Sequence, residues 1–170
     1  MNITFDKLKK RDYNGFCDDV KEIFSIAAIE AFGQSQNSRE IISADEVFRT
    51  LQDPACEAYA VYADGIKAGG AAIKVDDMTG HNSLELFYVY PEYHGRGVGY
   101  QIWQGIERLY PITKVWRLVT PYFEKRNIHF YINKCGFKIV EFFNKAHCDL
   151  NRPLTGVDYH DEYFMFEKVM

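Results

Sequence analysis

From Asn14 onward the apolar residues Phe16, Val20, Ile23, Phe24, Ala27 and Ala31 recur at steps of three and four. That period lines them along one stripe of a helix, which Gly33 is suited to end. Ahead of it, residues 3–8 (ITFDKL) read as a short first strand. Residues 34–42 are polar and irregular, a surface loop. Ser43 followed by Glu46 forms a capping box, and Val47, Phe48 and Leu51 then make the buried face of a second helix, stopped at Asp53-Pro54.

The period then falls to two. Residues 57–63 (EAYAVYA) and 66–75 (IKAGGAAIKV) flank Asp64-Gly65, a strong hairpin signal, and Gly69-Gly70 inside the second strand mark a bulge or a close backbone approach. A turn at 76–82 leads into strand 83–90, ended by Pro91. The glycine-rich turn HGRGVG at 94–99 follows, and Ile102, Trp103, Ile106 and Leu109 continue at helical steps. Residues 114–120 predict a strand and 124–135 a helix closed by Gly136. Segments 137–144 and 162–168 predict final strands around the polar loop 150–161. With no internal repeat and no dividing linker, the pattern predicts a single domain over 1–170 of α/β class, a mixed sheet flanked by helices.

Composition narrows the function classes. At 170 residues the chain is long enough to bury a sizeable core, and 47% hydrophobic with 16% aromatic content excludes disorder. The 24 acidic and 20 basic residues leave a net charge of −4, which argues against a nucleic-acid partner. A module that stacks bases on its aromatics would also need a basic groove. Cys17, Cys56, Cys135 and Cys148 are scattered without metal-ligand spacing, as free thiols in a reducing compartment would be. His160-Asp161-Glu162 stands alone in a polar loop, so no metal is expected. No apolar run approaches the roughly 18–20 residues of a membrane span, and the basic 7–11 segment is not followed by a signal-like stretch. The expectation is a cytoplasmic protein with no membrane partner.

The chemistry is concentrated in 84–99, LELFYVYPEYHGRGVG. A strand running through a glycine turn into a helix leaves backbone N–H groups unpartnered at the helix N-terminus. Glycines let an anion approach them, and the helix dipole favours negative charge there, so the expected ligand part is a phosphate or pyrophosphate. Arg96 can add a charge-assisted contact. The turn lacks the GK[ST] of a P-loop, and Ile102 stands where a dinucleotide fingerprint needs its third glycine.

Here the sequence resembles the GNAT N-acetyltransferase superfamily. The family's acetyl-CoA motif, [QR]-x-x-G-x-[GA] after a strand ending V-x-P, is similar to His94-Gly95-Arg96-Gly97-Val98-Gly99, with His94 in place of Gln or Arg. A second family element, Asn then F-Y then G-F, is similar to Asn127, Phe130-Tyr131 and Gly136-Phe137. The resemblance implies a GNAT-like fold with a mostly antiparallel central sheet. It implies acetyl-CoA as the acyl donor, its pyrophosphate on the amides of Gly95 to Tyr100, with His94, Arg96, Gly97, Val98 and Gly99 around it. It also implies a pantetheine arm alongside Phe87, Tyr88 and Val89, where the backbone at Phe87 and Val89 would pair with it. A bulge in that strand would free an amide to polarise the thioester carbonyl. The implied reaction is direct attack by a primary amine in a ternary complex, which needs a base and a proton donor.

Tyr131 is the candidate donor. Asn127 lies one turn before it, so the two share a helix face. Counting back from Gly136-Phe137 would instead select Ile132 and Lys125, but Ile132 has no proton to give. Glu85 is the candidate base; alternation places it with Phe87 and Val89 on one strand face, opposite Leu84, Leu86 and Tyr88. His94 and His129 are its rivals. Cys135 reads as a buried helix-end thiol.

A CoA-binding but catalytically silent domain, used in sensing or assembly, is the alternative class. The acceptor, a small-molecule or peptide amine, would be selected by residues 24–50 and the chain end. Phe24, Phe32, Phe48 and Tyr59 are equally suited to pocket and core. The aromatic-rich ends would suit a homodimer.

Overall fold

The computed structural model describes residues 1–33, 41–149 and 162–170. The chain begins with strand β1 (Ile3–Lys7), a 3₁₀ turn, helix α1 (Tyr13–Phe32) and helix α2 (Ala44–Gln52). Strands β2 (Cys56–Ala63), β3 (Ile66–Lys74) and β4 (His81–Val89) follow, then helix α3 (Val98–Leu109), β5 (Val115–Pro121), helix α4 (Lys125–Asn133), β6 (Lys138–Phe143) and β7 (Tyr163–Val169). The sheet has the order β1-β2-β3-β4-β5-β7-β6. Among the described residues only the β4–β5 pairing is parallel, so the sheet is mixed, as the pattern predicts, and mostly antiparallel, as the resemblance implies.

Local chemistry accounts for the element ends. The α2 capping box forms as expected: Ser43 Oγ accepts from the Glu46 amide at 3.2 Å and Glu46 Oε2 accepts from the Ser43 amide at 3.0 Å. Strand β4 starts at His81, earlier than its pattern predicts. Asp76 closes the preceding turn by accepting from the Met78 and Thr79 amides, both at 3.0 Å.

Each face of the sheet carries its own core. Against α3 and α4 lie Trp103, Trp116, Ile102, Ile106, Phe137 and Phe166. Under α1 and α2 lie Phe16, Val20, Val47, Leu51, Leu86 and Tyr88. Burying each such side chain stabilises by about 1.5–3 kcal/mol. The glycine pair of β3 marks close approach. A Cβ on Gly69 would lie 2.2 Å from the Tyr88 carbonyl oxygen, and one on Gly70 would lie 2.7 Å from the rings of Phe16 and Tyr88. The register also shifts right beside the pair, where Val61 pairs with Gly69 but Tyr62 with Lys67, and again at Ala72/Ile73 between β3 and β4 and at Ile139/Glu141 between β6 and β7. Among the described residues no helix is long and apolar enough to cross a membrane.

Candidate functional site

The site is built where two neighbouring strands part. β4 pairs with β5 through His81–Val115, Asn82–Trp116 and Ser83–Arg117, and there the pairing stops, although β4 runs on to Val89 and β5 to Pro121. β5 stays attached to β7 on its other edge, as far as Pro121–Tyr163. On the other side of the gap the Tyr90 amide donates to the Ala68 carbonyl at 2.9 Å. Strand alternation therefore turns the polar groups of Leu86 and Tyr88 toward β3, and those of Phe87 and Val89 into the gap. His94 takes one of them: its Nε2 lies 2.8 Å from the Val89 carbonyl oxygen. Among the described residues the Phe87 amide and carbonyl and the Val89 amide have no partner across the gap, which leaves them to an extended ligand. At Val89 the carbonyl already has His94 as a partner, so the amide is the group left facing the gap.

At the end of β4 the chain passes a 3₁₀ turn (Pro91–Tyr93) and enters the glycine turn. Gly95 and Gly97 have φ of 72° and 76°, the left-handed region, and a Cβ on either would meet nothing within 4 Å. Conformation, not space, selects glycine there. The amides of Gly95, Arg96, Gly97, Val98, Gly99 and Tyr100 make no hydrogen bond among the described residues, since helical bonding starts with Gln101 donating to the Gly97 carbonyl at 3.1 Å. Converging unpartnered amides at a helix N-terminus form an anion cradle. Arg96 and Tyr100 are exposed beside it. Gly99 borders the ring of Phe130, which a Cβ would approach to 3.6 Å.

The histidine that replaces Gln or Arg in the motif is held at both nitrogens. Nε2 faces a carbonyl oxygen, which can only accept, and Nδ1 lies 2.9 Å from Arg126 Nη1, which can only donate. His94 is thus the neutral tautomer with its proton on Nε2, donating to Val89 and accepting from Arg126. The same Arg126 nitrogen is 3.8 Å from Glu30 at the end of α1. One turn along α4, Phe130 stacks on Phe87. The α4 face turned to the glycine turn therefore carries Arg126 and Phe130, one residue before the Asn127–Tyr131 pair suggested by the motif. The role of Arg126 has no signature in the sequence: a basic residue in a K-R-N run reads as solvated until the fold brings it to His94.

Glu85 needs a correction of orientation. In the β3–β4 register Ala72 pairs with Leu86 and Ile73 with Leu84, so Glu85 is the extra residue of a bulge. The bulge resets the alternation. Leu84 packs in the α3–α4 core with Phe87 and Val89, whereas Leu86 and Tyr88 pack under α1 and α2. Glu85 accepts a short hydrogen bond from the Ser83 hydroxyl. Ser83 pairs with Lys74 and Lys74 with Cys56, which packs under α2. The exposed Glu85 carboxylate thus belongs to the α2 side of the sheet, across from Phe87 and Val89. Burial, with the Glu85 charge adding to it, pushes the Cys56 thiol up to about 11.

Tyr131 lies in the aromatic core, 6% exposed, its ring centroid 5.8 Å from that of Phe137 and 5.9 Å from that of Phe166. Its hydroxyl makes no hydrogen bond among the described residues, and burial raises its pKa, so it keeps its proton. Asn127 is half-buried and makes no hydrogen bond among the described residues. His129 bonds Asn133 at 2.9 Å on the exposed side of α4. Burial pushes the Cys135 thiol up to about 12. Glu124, just before α4, is a half-buried carboxyl raised by desolvation, a feature its sequence context does not reveal. Tyr59 does not face α1: it bonds Tyr110 and Glu57 on the α3 side, both at 3.0 Å. Phe32 packs on Phe123 at 4.9 Å, so the end of α1 reaches the β5–α4 connection. Residues 160 and 161 of the His160-Asp161-Glu162 cluster lie outside the described residues.

Residues 18–137 match the model of the Acetyltransferase (GNAT) family. The uncharacterized protein YrkN of Bacillus subtilis (strain 168) is 41% identical over 174 residues, covering 99% of this chain and 94% of that one. The PaiA N-acetyltransferase of Thermoplasma acidophilum, in complex with coenzyme A, superposes with a TM-score of 0.64 at 19% identity, covering 100% of both chains. Spermidine N-acetyltransferase of Vibrio cholerae, in complex with CoA and spermine, gives 0.67 at 12% identity, covering 98% of this chain and 95% of that one. These two likenesses are of fold.

Proposed function

The chain belongs to the GNAT acetyltransferase family, and from that premise we propose that it moves the acetyl group of acetyl-CoA to a primary amine of a small-molecule or peptide acceptor. The observation that carries the reading is the parting of β4 from β5 after Ser83–Arg117, directly beside the unpartnered amides of Gly95 to Tyr100. An extended arm ending in a pyrophosphate matches that combination: a strand edge for the arm, an amide cradle for the anion. Acetyl-CoA supplies the activated acetyl thioester when bound.

The chain's own groups divide the remaining work. The amides of Gly95 to Tyr100 hold the pyrophosphate, with Arg96 at the rim. Phe87 and the Val89 amide orient the arm. Glu85 is itself the extra residue of the β4 bulge, which turns its carboxylate to the α2 side while Phe87 and Val89 stay on the other. Glu85, on the α2 side, takes a proton from the acceptor ammonium so that the amine presents its lone pair. Tyr131, kept protonated by burial, donates to the departing sulfur. The neighbour that carries spermine makes polyamines the first acceptors to test, with amino acids and peptide N-termini beside them.

The test is a calorimetric titration of acetyl-CoA into the protein and into Gly97→Glu, which puts a carboxylate into the cradle. Binding by the wild type, weakened by at least about tenfold in the variant, supports the site. No binding by the wild type would overturn the reading. Binding without transfer to any amine would move the protein to a silent CoA-binding role.

A further inference from the structure

We infer that Arg126 is the cation of the phosphate site, supplying from α4 the positive charge that the motif's first position lacks in this chain. The assignment rests on the acetyl-CoA reading above and adds to it a residue and a contact.

His94 cannot itself serve the anion. A glutamine or arginine at the head of the turn would offer free donors to an anion. His94 spends its one N–H on the Val89 carbonyl and its other nitrogen on Arg126, so it presents neither charge nor donor to the cradle. The guanidinium is brought to the residue that immediately precedes Gly95, the first of the unpartnered amides. Among the described residues, Nη1 lies 2.9 Å from His94 and 3.8 Å from Glu30, and the Glu124 carboxyl two positions earlier also feels the guanidinium charge. Nε and Nη2 make no hydrogen bond among the described residues, and the side chain is 49% exposed. A planar cation with unspent donors, held by a neutral imidazole at the mouth of an amide cradle, is suited to a pyrophosphate oxygen. The Glu30 contact is longer than a hydrogen bond and solvent-exposed, so it competes weakly. His94 then acts as a positioning residue, fixing Arg126 relative to Val89 and the turn.

The test measures affinity for acetyl-CoA and for its 3′-dephospho form in the wild type, Arg126→Ala and Arg126→Lys, with thermal unfolding of each protein. The expected result is a loss of about tenfold or more for Arg126→Ala, equal for the two ligands, with Arg126→Lys intermediate and all three proteins unfolding at similar temperatures. A change of less than threefold in Arg126→Ala would overturn the assignment. So would a loss seen only with the 3′-phosphate present, which would move the cation to that group. A loss shared fully by Arg126→Lys and tracking a lower unfolding temperature would make Arg126 a structural tie between α1, α4 and the turn, which also overturns it. A wild type that binds neither ligand removes the acetyl-CoA reading itself, an outcome distinct from any variant result.

Discussion

Phe87 and Phe130 stack across the open side of β4, ring centroids 6.1 Å apart and planes 13° from parallel. Tyr131, the next residue of the same helix, turns instead into the core beside Phe137 and Phe166. One helix step of about 100° thus separates an apolar wall of the gap from the proposed proton donor. Tyr131→Phe keeps the ring and its packing, so unfolding stability should change by less than about 1 kcal/mol. Acetyl transfer should fall by about 10² or more, read as kcat/KM with an acceptor found by screening. Unchanged transfer would remove Tyr131 from the mechanism.

Glu85→Gln tests the base. The carboxylate sits in an exposed bulge, so the variant should fold and bind acetyl-CoA as the wild type does. Its transfer rate should drop by about 10²–10⁴, and the low-pH limb of the rate profile should flatten, because that limb reports protonation of the base. A profile of unchanged shape would reassign the role.

Glycines of the sheet and of the turn should respond differently. Gly69→Ala forces a Cβ to within 2.2 Å of the Tyr88 carbonyl, backbone that cannot yield without opening β3 from β4. A loss of about 2–4 kcal/mol in urea unfolding is expected. Gly95→Ala meets no atom within 4 Å and carries only the cost of a positive φ, about 1–2 kcal/mol.

Glu57 joins β2 to the end of α3 and to β1. It accepts from Lys7 at 2.5 Å, from Tyr110 at 2.6 Å and from Tyr59 at 3.0 Å. The Lys7 contact first, then Tyr110, hold its carboxyl below the usual range. A lowered folded-state pKa means stability present above the unfolded pKa and lost as pH falls through the folded one. Glu57→Gln should therefore cost about 1 kcal/mol or less near neutrality, since the site is partly solvated. That difference should shrink below about pH 4 as the wild type protonates. Denaturant melts of both proteins from neutral pH to pH 3 would show it.

Thiol chemistry should single out one cysteine. Cys148 is exposed, Cys17 and Cys135 are buried, and the thiols of Cys56 and Cys135 are pushed up to about 11 and about 12. At pH 8 only about one in a thousand Cys56 side chains is the reactive thiolate. Alkylation followed by peptide mass analysis should label Cys148 first. Early labelling of Cys135 would mean that the end of α4 opens.

Much of this protein was legible along the chain because its signals are local. The capping box at Ser43–Glu46, the hairpin at Asp64-Gly65 and the strand–turn–helix around Gly95 and Gly97 each depend on residues within a few positions of one another, so period and turn chemistry suffice to find them. Glu85 shows where that reading stops. Alternation is a rule for an unbroken strand, and one extra residue between Leu84 and Leu86, visible only against the β3 register, carries the carboxylate to the other side of the sheet.

The sequence by itself determined the elements, the mixed sheet, the glycine turn that leaves amides unpartnered, and the family. Only the tertiary structure decided that β4 and β5 part after Ser83–Arg117, that the Val89 carbonyl is taken by His94, and that Arg126 reaches His94 from α4. The physical reason is one of range. Helix stripes, caps and left-handed glycines are properties of a few bonded neighbours. The strand edge, the bulge and the arginine contact arise between segments up to 34 positions apart in the chain, joined only by the packing of the sheet and its helices.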